Sequence, residues 1–352
     1  MDNVNSDIRI SSTLSSNFYS SKKKFKEVID KIFAKSWHLI TDDTHFDEVN
    51  YVYPFILMDN VLPEPLFLIK NKNGIECFSN VCTHRGNILV KSPGKIHKTI
   101  NCNYHGRSFD TNGKFLFMPC TEGMENFPSN KDDLPKISTK QWNQFIFTSL
   151  EPKFIFEDLI VDVDARVGWM PIKDFVFRKD LSNEYLINAN WTLYCDNYLE
   201  GFHIPFIHKD LNEVLNYEEY SVECFKYSNL QIGYAKDKDL CFDLPKSSID
   251  YGKNIAAYYF WLFPNIMLNF YPWGLSVNLI TPLSNGKTKV NFYSYVWKEE
   301  LLDKGAGADV NKIELEDQEV VTSVQMGVSS RLYKSGRFSP NMEQGVHHFH
   351  TI

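Results

Sequence analysis

Two short segments of the chain each combine one cysteine with one histidine: Cys82-x-His84 and, after 17 intervening residues, Cys102-x-x-His105. A structural zinc site usually takes its cysteines as one close pair and its histidines as another. Here each segment supplies one thiolate and one imidazole, which suits a two-iron cluster with two cysteines on one iron and two histidines on the other. A glycine follows each histidine closely, as expected where the backbone bends tightly around a cluster. The pattern therefore predicts a [2Fe-2S] cluster bound by these four residues, with zinc as the alternative.

A second metal-binding pattern follows in the segment Glu200-x-x-His203-x(4)-His208. On a helix, the spacing of Glu200 and His203 places both side chains on one face. The two histidines would be about 140° apart on an ideal helix, and Pro205 between them is expected to disturb the helix so that His208 returns toward His203. Two histidines and a carboxylate form the facial triad that binds non-heme iron(II) and leaves positions open for dioxygen. The alternative is that both histidines are ordinary core or surface residues.

The carboxylate of such a triad has two adjacent candidates, Glu316 and Asp317. Both lie in the first half of a helix predicted from about Val310 to Tyr333. Adjacent residues of a helix point about 100° apart, so only one of the two faces a given metal. Composition and spacing leave both residues open.

The pattern of apolar residues predicts an α+β chain in three parts. Residues 1–48 are predicted to form a helical segment that packs on the last part, and residues 49–150 to form a small all-β domain of hairpins with Asn-Gly and Pro-Gly turns. Residues 151–352 are predicted to form an antiparallel sheet with a long helix packed on it. The strands expected in that sheet lie at about Tyr217–Tyr227, Leu230–Ala235, Ala256–Phe263, Ile266–Tyr271, Leu275–Leu283 and Lys287–Trp297.

Composition excludes several classes of function. The chain has 352 residues with 37 Lys and Arg against 44 Asp and Glu, a net charge of −7, so it lacks the excess of positive charge that binds nucleic acid phosphates. Its seven cysteines are an odd number spread over a long chain, which argues against a secreted disulfide framework. The sequence contains neither an apolar run of about 18 residues nor a secretory signal. We therefore expect no nucleic acid or membrane partner and a soluble, cytoplasmic protein.

From about Phe18 to His350 the chain resembles the alpha subunits of Rieske non-heme iron oxygenases, the aromatic-ring-hydroxylating family. The likeness is strongest in CTHRG at 82–86 and in the CxYHG pattern at 102–106. Two features make it most similar to the choline, glycine betaine and carnitine monooxygenase branch. These are glutamate at position 200, where naphthalene-type dioxygenases have aspartate, and the ending GRFSPNMEQGVHHFH.

The resemblance implies a small Rieske domain and a helix-grip, START-like catalytic domain, in which an antiparallel sheet surrounds the long C-terminal helix. It implies that Asp317 completes the iron site of His203 and His208, since the family's ligand follows a glutamate before an apolar run. It also implies a homotrimer in which His105 of one subunit hydrogen-bonds Glu200 of the next, so that Glu200 bridges the cluster and the mononuclear iron for electron transfer. A separate flavin and iron–sulfur reductase would supply electrons from NAD(P)H, since the chain contains no GxGxxG motif.

The function implied by the resemblance is that of a terminal oxygenase, which uses O2 and NAD(P)H electrons to hydroxylate or N-demethylate a small substrate such as a quaternary amine. Attack on a carbon next to a quaternary nitrogen would release a methyl group as formaldehyde. Aromatic-ring dihydroxylation is the main alternative. A pure electron carrier is less favoured, because respiratory Rieske proteins have two further cysteines where this chain has Asn87 and Tyr104. The aromatic-rich stretch Tyr258–Asn278 could form a cage for a cation, hold a flat ring or only pack the sheet.

Overall fold

The computed structural model describes residues 4–308 and 310–352, and the side chain of Asp239 also lies outside the description. The chain forms two compact units. The small unit contains residues 33–153, and the large unit contains the residues up to 32 together with residues 154–352. The sequence pattern places these divisions at residues 48 and 150 instead. The first difference arises because a strand at His38–Asp42 pairs with the strand at Phe145–Ser149, inside the small unit.

The small unit is built from short antiparallel strands, as its frequent turn residues predict. Its strands are β1 (His38–Asp42), β2 (Tyr51–Met58), β3 (Leu62–Asn71), β4 (Gly74–Ser79), β5 (Gly94–Lys95), β6 (Ile100–Asn101), β7 (Ser108–Phe109), β8 (Phe115–Phe117), β9 (Lys136–Trp142) and β10 (Phe145–Ser149). One sheet has the order β1-β10-β9-β4-β3-β2-β5 and another the order β6-β7-β8. The core that contains Phe67, Phe78 and Phe109 also contains Cys82 and Cys102. The two predicted cysteine ligands are therefore anchored in a core of this unit.

The large unit combines helices with one antiparallel sheet. Its helices are α1 (Ser16–Ser20), α2 (Lys22–Lys31), α3 (Glu157–Val167), α4 (Trp191–Tyr198), α5 (Ile204–Ile207), α6 (Lys209–Val214), α7 (Val310–Val328) and α8 (Gln344–Thr351). Its strands are β11 (Val176–Ile187), β12 (Ser221–Cys224), β13 (Ser228–Tyr234), β14 (Ile255–Leu262), β15 (Ile266–Tyr271), β16 (Gly274–Ser284) and β17 (Lys287–Val296), in the order β11-β17-β16-β15-β14-β13-β12. From β13 onward the strands lie within two residues of their predicted bounds. Within the described part of the chain, none of the helices combines the length and the apolar character that crossing a bilayer requires.

Helix α7 is the long helix that the sequence predicts, and polar contacts attach it to the sheet at one end and to the start of α4 at the other. Asn311 accepts hydrogen bonds from Asn183 Nδ2 at 2.9 Å and from the Tyr185 hydroxyl at 2.6 Å, both on β11. Near the other end, the side chain of Gln325 accepts a hydrogen bond from the backbone N–H of Asn190 at 2.8 Å. These contacts fix the face that α7 turns toward the sheet. The predicted α+β class, with an antiparallel sheet and a long helix, is confirmed.

A buried ion pair joins α3 to the segment that precedes β14. The carboxylate of Asp250 is fully buried and accepts hydrogen bonds from Nη1 of Arg166 at 2.9 and 3.1 Å. It also accepts hydrogen bonds from Lys253 at 2.8 Å and from the Tyr258 hydroxyl at 3.0 Å. Removing one partner of a buried pair leaves the other charge poorly compensated in a medium of low polarity. This pair is therefore expected to contribute strongly to the stability of the native fold.

Asp250→Ala should lower the free energy of unfolding by about 3–5 kcal/mol, because it leaves the buried guanidinium of Arg166 without its main partner. Lys253→Met is the matched control: the lysine side chain is 48% exposed, so solvent screens its charge, and its loss should cost about 1 kcal/mol. Urea unfolding followed by circular dichroism measures both changes. Equal losses in the two variants would contradict a dominant role for the buried pair.

Candidate metal centres and active-site cavity

The two predicted histidines and one of the two candidate carboxylates meet in the large unit. Nε2 of His203 lies 3.1 Å from Nε2 of His208. Oδ1 of Asp317 lies 3.0 Å from Nε2 of His208 and 3.7 Å from Nε2 of His203. One ligand atom from each of the three side chains lies within 4.8 Å of the others. Two imidazoles and one carboxylate, converging in this way, have the donor chemistry of a facial non-heme iron(II) site.

The backbone brings the two histidines together by turns rather than along one helix. Helix α4 ends at Tyr198, and Glu200 and His203 lie in the turn that follows, so the prediction that they share a helix face is wrong. Pro205 is the second residue of the short helix α5 and does not disturb a longer helix, because a missing N–H is tolerated in the first turn. His208 lies between α5 and α6 with φ −100° and ψ 73°, outside helical geometry. The convergence of the histidines therefore depends on two helix ends and the turn between them.

Gly201 allows this turn to pack closely against a neighbouring ring. A Cβ atom at this position would lie 2.6 Å from the ring of Tyr220, which leaves no room for any side chain. Within the turn, Glu200 contacts His203 twice. Its Oε2 accepts a hydrogen bond from the backbone N–H of His203 at 3.1 Å, and its Oε1 lies 2.7 Å from Nδ1 of the ring. The turn thus holds the imidazole in a defined orientation.

A carboxylate stands behind each histidine. Oε1 of Glu200 lies 2.7 Å from Nδ1 of His203, and Oε2 of Glu316 lies 2.7 Å from Nδ1 of His208. A hydrogen bond at Nδ1 fixes the tautomer and directs the lone pair of Nε2 toward a metal. The two adjacent carboxylates that the sequence pattern leaves open therefore have different positions. Asp317 faces both Nε2 atoms, and Glu316 contacts His208 from behind.

The four predicted cluster residues lie on two loops of the same geometry. In the first loop, Cys82 N donates to the carbonyl five residues later at 2.8 Å, and Gly86 N donates back to the Cys82 carbonyl at 3.0 Å. In the second, Cys102 N and Gly106 N make the equivalent hydrogen bonds at 2.7 and 3.0 Å. Gly86 and Gly106 both have φ of 72°, a conformation that favours glycine. The glycines after each histidine are thus explained by the turn.

The tips of the two loops converge. The ring centroids of His84 and His105 are 4.8 Å apart, and Cys82 and Cys102 are buried in the same core cluster. Nδ1 of His105 is buried and has no hydrogen-bond partner among the described residues. A buried imidazole nitrogen without a partner is expected where a metal ion binds. Two sulfur and two nitrogen donors at the loop tips therefore fit a [2Fe-2S] cluster of the Rieske type.

Asp132 connects the two cluster loops. Arg107 directly follows Gly106 of the second loop, and its buried guanidinium donates a hydrogen bond to the side chain of Asp132 at 2.7 Å. The backbone carbonyl of Asp132 accepts hydrogen bonds from Arg107 at 3.1 Å and from the Thr83 hydroxyl of the first loop at 2.8 Å. The guanidinium also lies 4.7 Å from the ring centre of Phe115. No spacing pattern in the sequence indicates this link, because its members come from three separate segments.

The His–His–Asp set borders a cavity between α4, α7 and the sheet. Among the described residues, its polar lining is dominated by tyrosine and amide side chains: Tyr194, Tyr198, Tyr220, Tyr259, Tyr271, Asn197, Gln231, Asn269 and Asn278. Of the eight aromatic rings in the stretch from 258 to 278, only Tyr259 and Tyr271 line the cavity. Others pack, as Trp261 does against Phe349 with ring centroids 5.0 Å apart. Most of this stretch is therefore core.

Three of the lining tyrosines come from outside the aromatic-rich stretch. Tyr194 and Tyr198 are four residues apart on α4, so they lie on one face of that helix. Tyr220 is the ring that packs on Gly201. The helical spacing of Tyr194 and Tyr198, just before Glu200, is a signal in the sequence that could have identified them.

Glu314 is a buried carboxyl group in the same cavity, one helical turn before Asp317 on α7. It is 2% exposed. The Tyr194 hydroxyl donates a hydrogen bond to it, and Nε2 of Gln318 donates a second at 3.0 Å. Burial raises the pKa of Glu314 to about 8. The three-residue spacing from Asp317 would have indicated a shared helix face, but nothing in the sequence shows that this face is buried.

Comparison with known families matches both units. Residues 174–352 match the family described as ring hydroxylating alpha subunit, catalytic domain, and residues 54–128 match the Rieske [2Fe-2S] domain. The chain is similar to the chloroplastic choline monooxygenase of Arabidopsis thaliana, with 27% identity over 365 residues that cover 97% of this chain and 82% of that protein. It is also similar to the carnitine monooxygenase oxygenase subunit of Escherichia coli K12, with 28% identity over 358 residues that cover 97% of this chain and 92% of that protein.

Solved structures share the fold over nearly the whole chain. A quaternary ammonium Rieske monooxygenase in complex with L-carnitine has a TM-score of 0.75 at 24% identity, covering 98% of this chain and 95% of that one. Naphthalene 1,2-dioxygenase from Rhodococcus sp., bound to indole, has a TM-score of 0.71 at 15% identity, covering 95% and 92%. The small unit therefore has the architecture of a Rieske domain, and the large unit that of an oxygenase catalytic domain.

Proposed function

The chain belongs to the ring-hydroxylating alpha-subunit family, whose catalytic-domain match covers more than half of it, and we propose that it oxidises a small quaternary amine. It is a terminal oxygenase of the Rieske type. The observation that favours a quaternary amine is the cavity, where tyrosine rings surround the space beside the His–His–Asp set. The faces of such rings attract a desolvated cation.

In this proposal His203, His208 and Asp317 bind a mononuclear iron(II), and the two Cys–His loops of the small unit bind a [2Fe-2S] cluster. When bound, these groups supply one-electron transfer and the activation of dioxygen. The protein's own contribution is orientation. Glu200 and Glu316 each hold one imidazole at Nδ1, so that both Nε2 atoms face Asp317. Carboxylates in this position raise the basicity of the ligand and fix its tautomer.

The cavity side chains position the substrate. The tyrosine rings hold the alkylammonium group and exclude water from it. The Oδ1 atoms of Asn269 and Asn278 accept hydrogen bonds from Tyr198 at 2.7 Å and from Ser276 at 2.9 Å. Their amide N–H groups are therefore the part left to donate to an oxygen atom of the substrate.

The reaction requires partners that are part of this proposal. NAD(P)H provides two electrons through a separate reductase, one oxygen atom of O2 enters a C–H bond of the substrate, and the other leaves as water. When the C–H bond belongs to an N-methyl group, the hydroxylated product loses formaldehyde, with transfer of the hydroxyl proton to solvent and of the C–N bonding pair to nitrogen. The relative in Escherichia coli is named as an oxygenase subunit, which supports a separate reductase. A homotrimer and a cytoplasmic location remain predictions.

A product assay tests the proposed function. The purified chain, loaded with iron, would be combined with a surrogate reductase, NADH and 18O2, and offered choline, glycine betaine, L-carnitine and naphthalene. We expect NADH oxidation coupled to an aldehyde product from one of the amines, with a single 18O atom introduced at the attacked carbon.

Two other outcomes would contradict the proposal. A diol from naphthalene that carries both atoms of one O2 would identify a ring dioxygenase. Iron at about two per chain, with no product from any compound, would indicate a Rieske electron carrier.

A further inference from the structure

The lining of the cavity carries acidic side chains in addition to its tyrosine rings. Its described lining contains the carboxyl groups of Glu200, Glu314 and Asp317, and no lysine or arginine is among these residues. Asp317 is assigned to the iron, and Glu200 contacts His203. Glu314 has no such assignment, although it is buried in the wall of the cavity.

We infer that Glu314 is the counter-ion of the substrate's ammonium group, and that the substrate is a cation without a carboxylate of its own. This inference rests on the proposed function and narrows its substrate class from quaternary amines in general to cationic amines with a neutral tail, such as amino alcohols. It makes Glu314 a specificity-determining residue.

The position of Glu314 suits this role. It precedes Asp317 by three residues on α7, so the two side chains emerge from one face about 4.5 Å apart along the helix axis. An ammonium group beside Glu314 therefore has its neighbouring carbon atoms next to the iron position. Tyr194 and Gln318 hold the carboxyl group from two sides and limit its rotation.

The burial of Glu314 makes the cavity selective for a cation over a neutral molecule. A buried carboxylate is costly unless an opposite charge compensates it, and its two hydrogen-bond donors, a hydroxyl and an amide, are neutral. The raised pKa of Glu314 therefore keeps its proton in place near neutral pH until a cation beside it favours the ionised form. An alkylammonium ion supplies the missing positive charge, whereas an uncharged molecule of the same shape does not. A zwitterion such as glycine betaine would bring its own carboxylate into a cavity whose described lining has no lysine or arginine to pair with it, and beside Glu314 that carboxylate meets like charge.

Binding of three probes tests the inference without turnover. Choline, its neutral isostere 3,3-dimethyl-1-butanol and glycine betaine would be titrated into the iron-loaded protein by calorimetry. For the wild type we expect choline to bind at least about tenfold more tightly than either of the others, the effect of one compensated charge in a partly desolvated site. In Glu314→Gln, which keeps the shape and can accept a hydrogen bond at one of the two oxygen positions through its carbonyl oxygen, the advantage of choline over its isostere should fall below about threefold. Glu319→Gln, an exposed change on the same helix, is the control and should bind as the wild type does.

Two results would overturn the inference: tight binding of glycine betaine or L-carnitine by the wild type, or an unchanged preference for choline in Glu314→Gln. If that variant fails to fold, the wild-type comparison of choline with its isostere still decides, because equal affinities would exclude a counter-ion. Failure of the inference is distinct from failure of the proposed function. An aldehyde formed from a betaine would reject the first and retain the second, whereas the absence of product from every amine would reject the second.

Discussion

Asp317→Ala is expected to abolish product formation while leaving the Rieske cluster intact. The substitution removes Asp317, the one carboxylate among the described residues that faces both Nε2 atoms, at 3.0 Å from His208 and 3.7 Å from His203. Two imidazoles alone hold a divalent iron poorly, because the facial site needs the anionic ligand. Iron content should therefore fall from about three to about two per chain. Turnover should fall by more than about 100-fold, the upper end of losses seen when only a supporting residue is removed.

Glu316→Gln is the matched control for this change, since it alters the adjacent residue on the same helix. Glu316 contacts Nδ1 of His208 and does not approach the Nε2 atoms. We expect this variant to keep its third iron at saturating metal and to lose about 10- to 100-fold in iron affinity. Iron analysis and the visible spectrum of the cluster measure both variants. Loss of the third iron in Glu316→Gln but not in Asp317→Ala would exchange the roles of the two residues.

The choice between these adjacent residues shows what the sequence can and cannot predict. Spacing restricts the ligand to one of two positions on α7, because adjacent side chains diverge on a helix. Selecting Asp317 required either the family resemblance or the structure. The hydrogen bond between Glu316 and His208 spans 108 positions of the chain, and no local pattern encodes such a contact.

The fold likewise contains elements that the sequence pattern predicts and elements that it does not. The strands from β13 to β17 are rich in apolar and aromatic residues, and their bounds follow from the pattern. Strand β11 was not predicted, because it is an edge strand whose side chains are largely exposed and polar. Helix α3 is not among the predicted elements, although its buried Leu159, Ile160 and Val163 have helical spacing. Strand β11 therefore lacks a local signal in the sequence, whereas helix α3 has one in its apolar spacing.

In the candidate site, helix periodicity failed between Glu200 and His203. An i,i+3 spacing is compatible with a helix face and also with a turn that the glutamate itself closes by bonding the histidine N–H. Gly201 marks the difference, because a glycine inside a helix is unfavourable, whereas one in a turn permits the close approach of Tyr220. Contacts of this kind are tertiary and become visible only with the structure.

Glu200→Gln is expected to leave both metal sites loaded and to reduce coupled turnover by about 100-fold or more. Glu200 contacts His203 from behind, and the proposed trimer would place its other side against His105 of the neighbouring subunit. The amide keeps the size of the side chain and removes the negative charge, which in such a trimer would bind two imidazole N–H groups at once. Iron content and the cluster spectrum should match the wild type. Wild-type turnover in the variant would eliminate the bridging role.

Mixed oligomers separate transfer between subunits from transfer within one chain. Asp317→Ala provides chains with a working cluster and no mononuclear iron, and Cys102→Ser provides chains with the reverse defect. Each variant alone should be inactive. In a cyclic trimer that contains both, one of the three directed interfaces joins an intact cluster to an intact iron site, so purified mixed trimers should recover about one third of wild-type activity.

The same mixtures locate the function of Glu200. The proposal assigns the bridge to the subunit that holds the iron, because Glu200 contacts that subunit's own His203. Glu200→Gln added to the Cys102→Ser chain should therefore abolish the recovered activity, whereas Glu200→Gln added to the Asp317→Ala chain should leave it unchanged. A loss of activity with the second arrangement would assign the role of Glu200 to the cluster-bearing subunit instead. No recovery in any mixture would place the electron path within one chain. Activity that is lost with the first arrangement and kept with the second is expected only if Glu200 acts across the interface from the subunit that holds the iron.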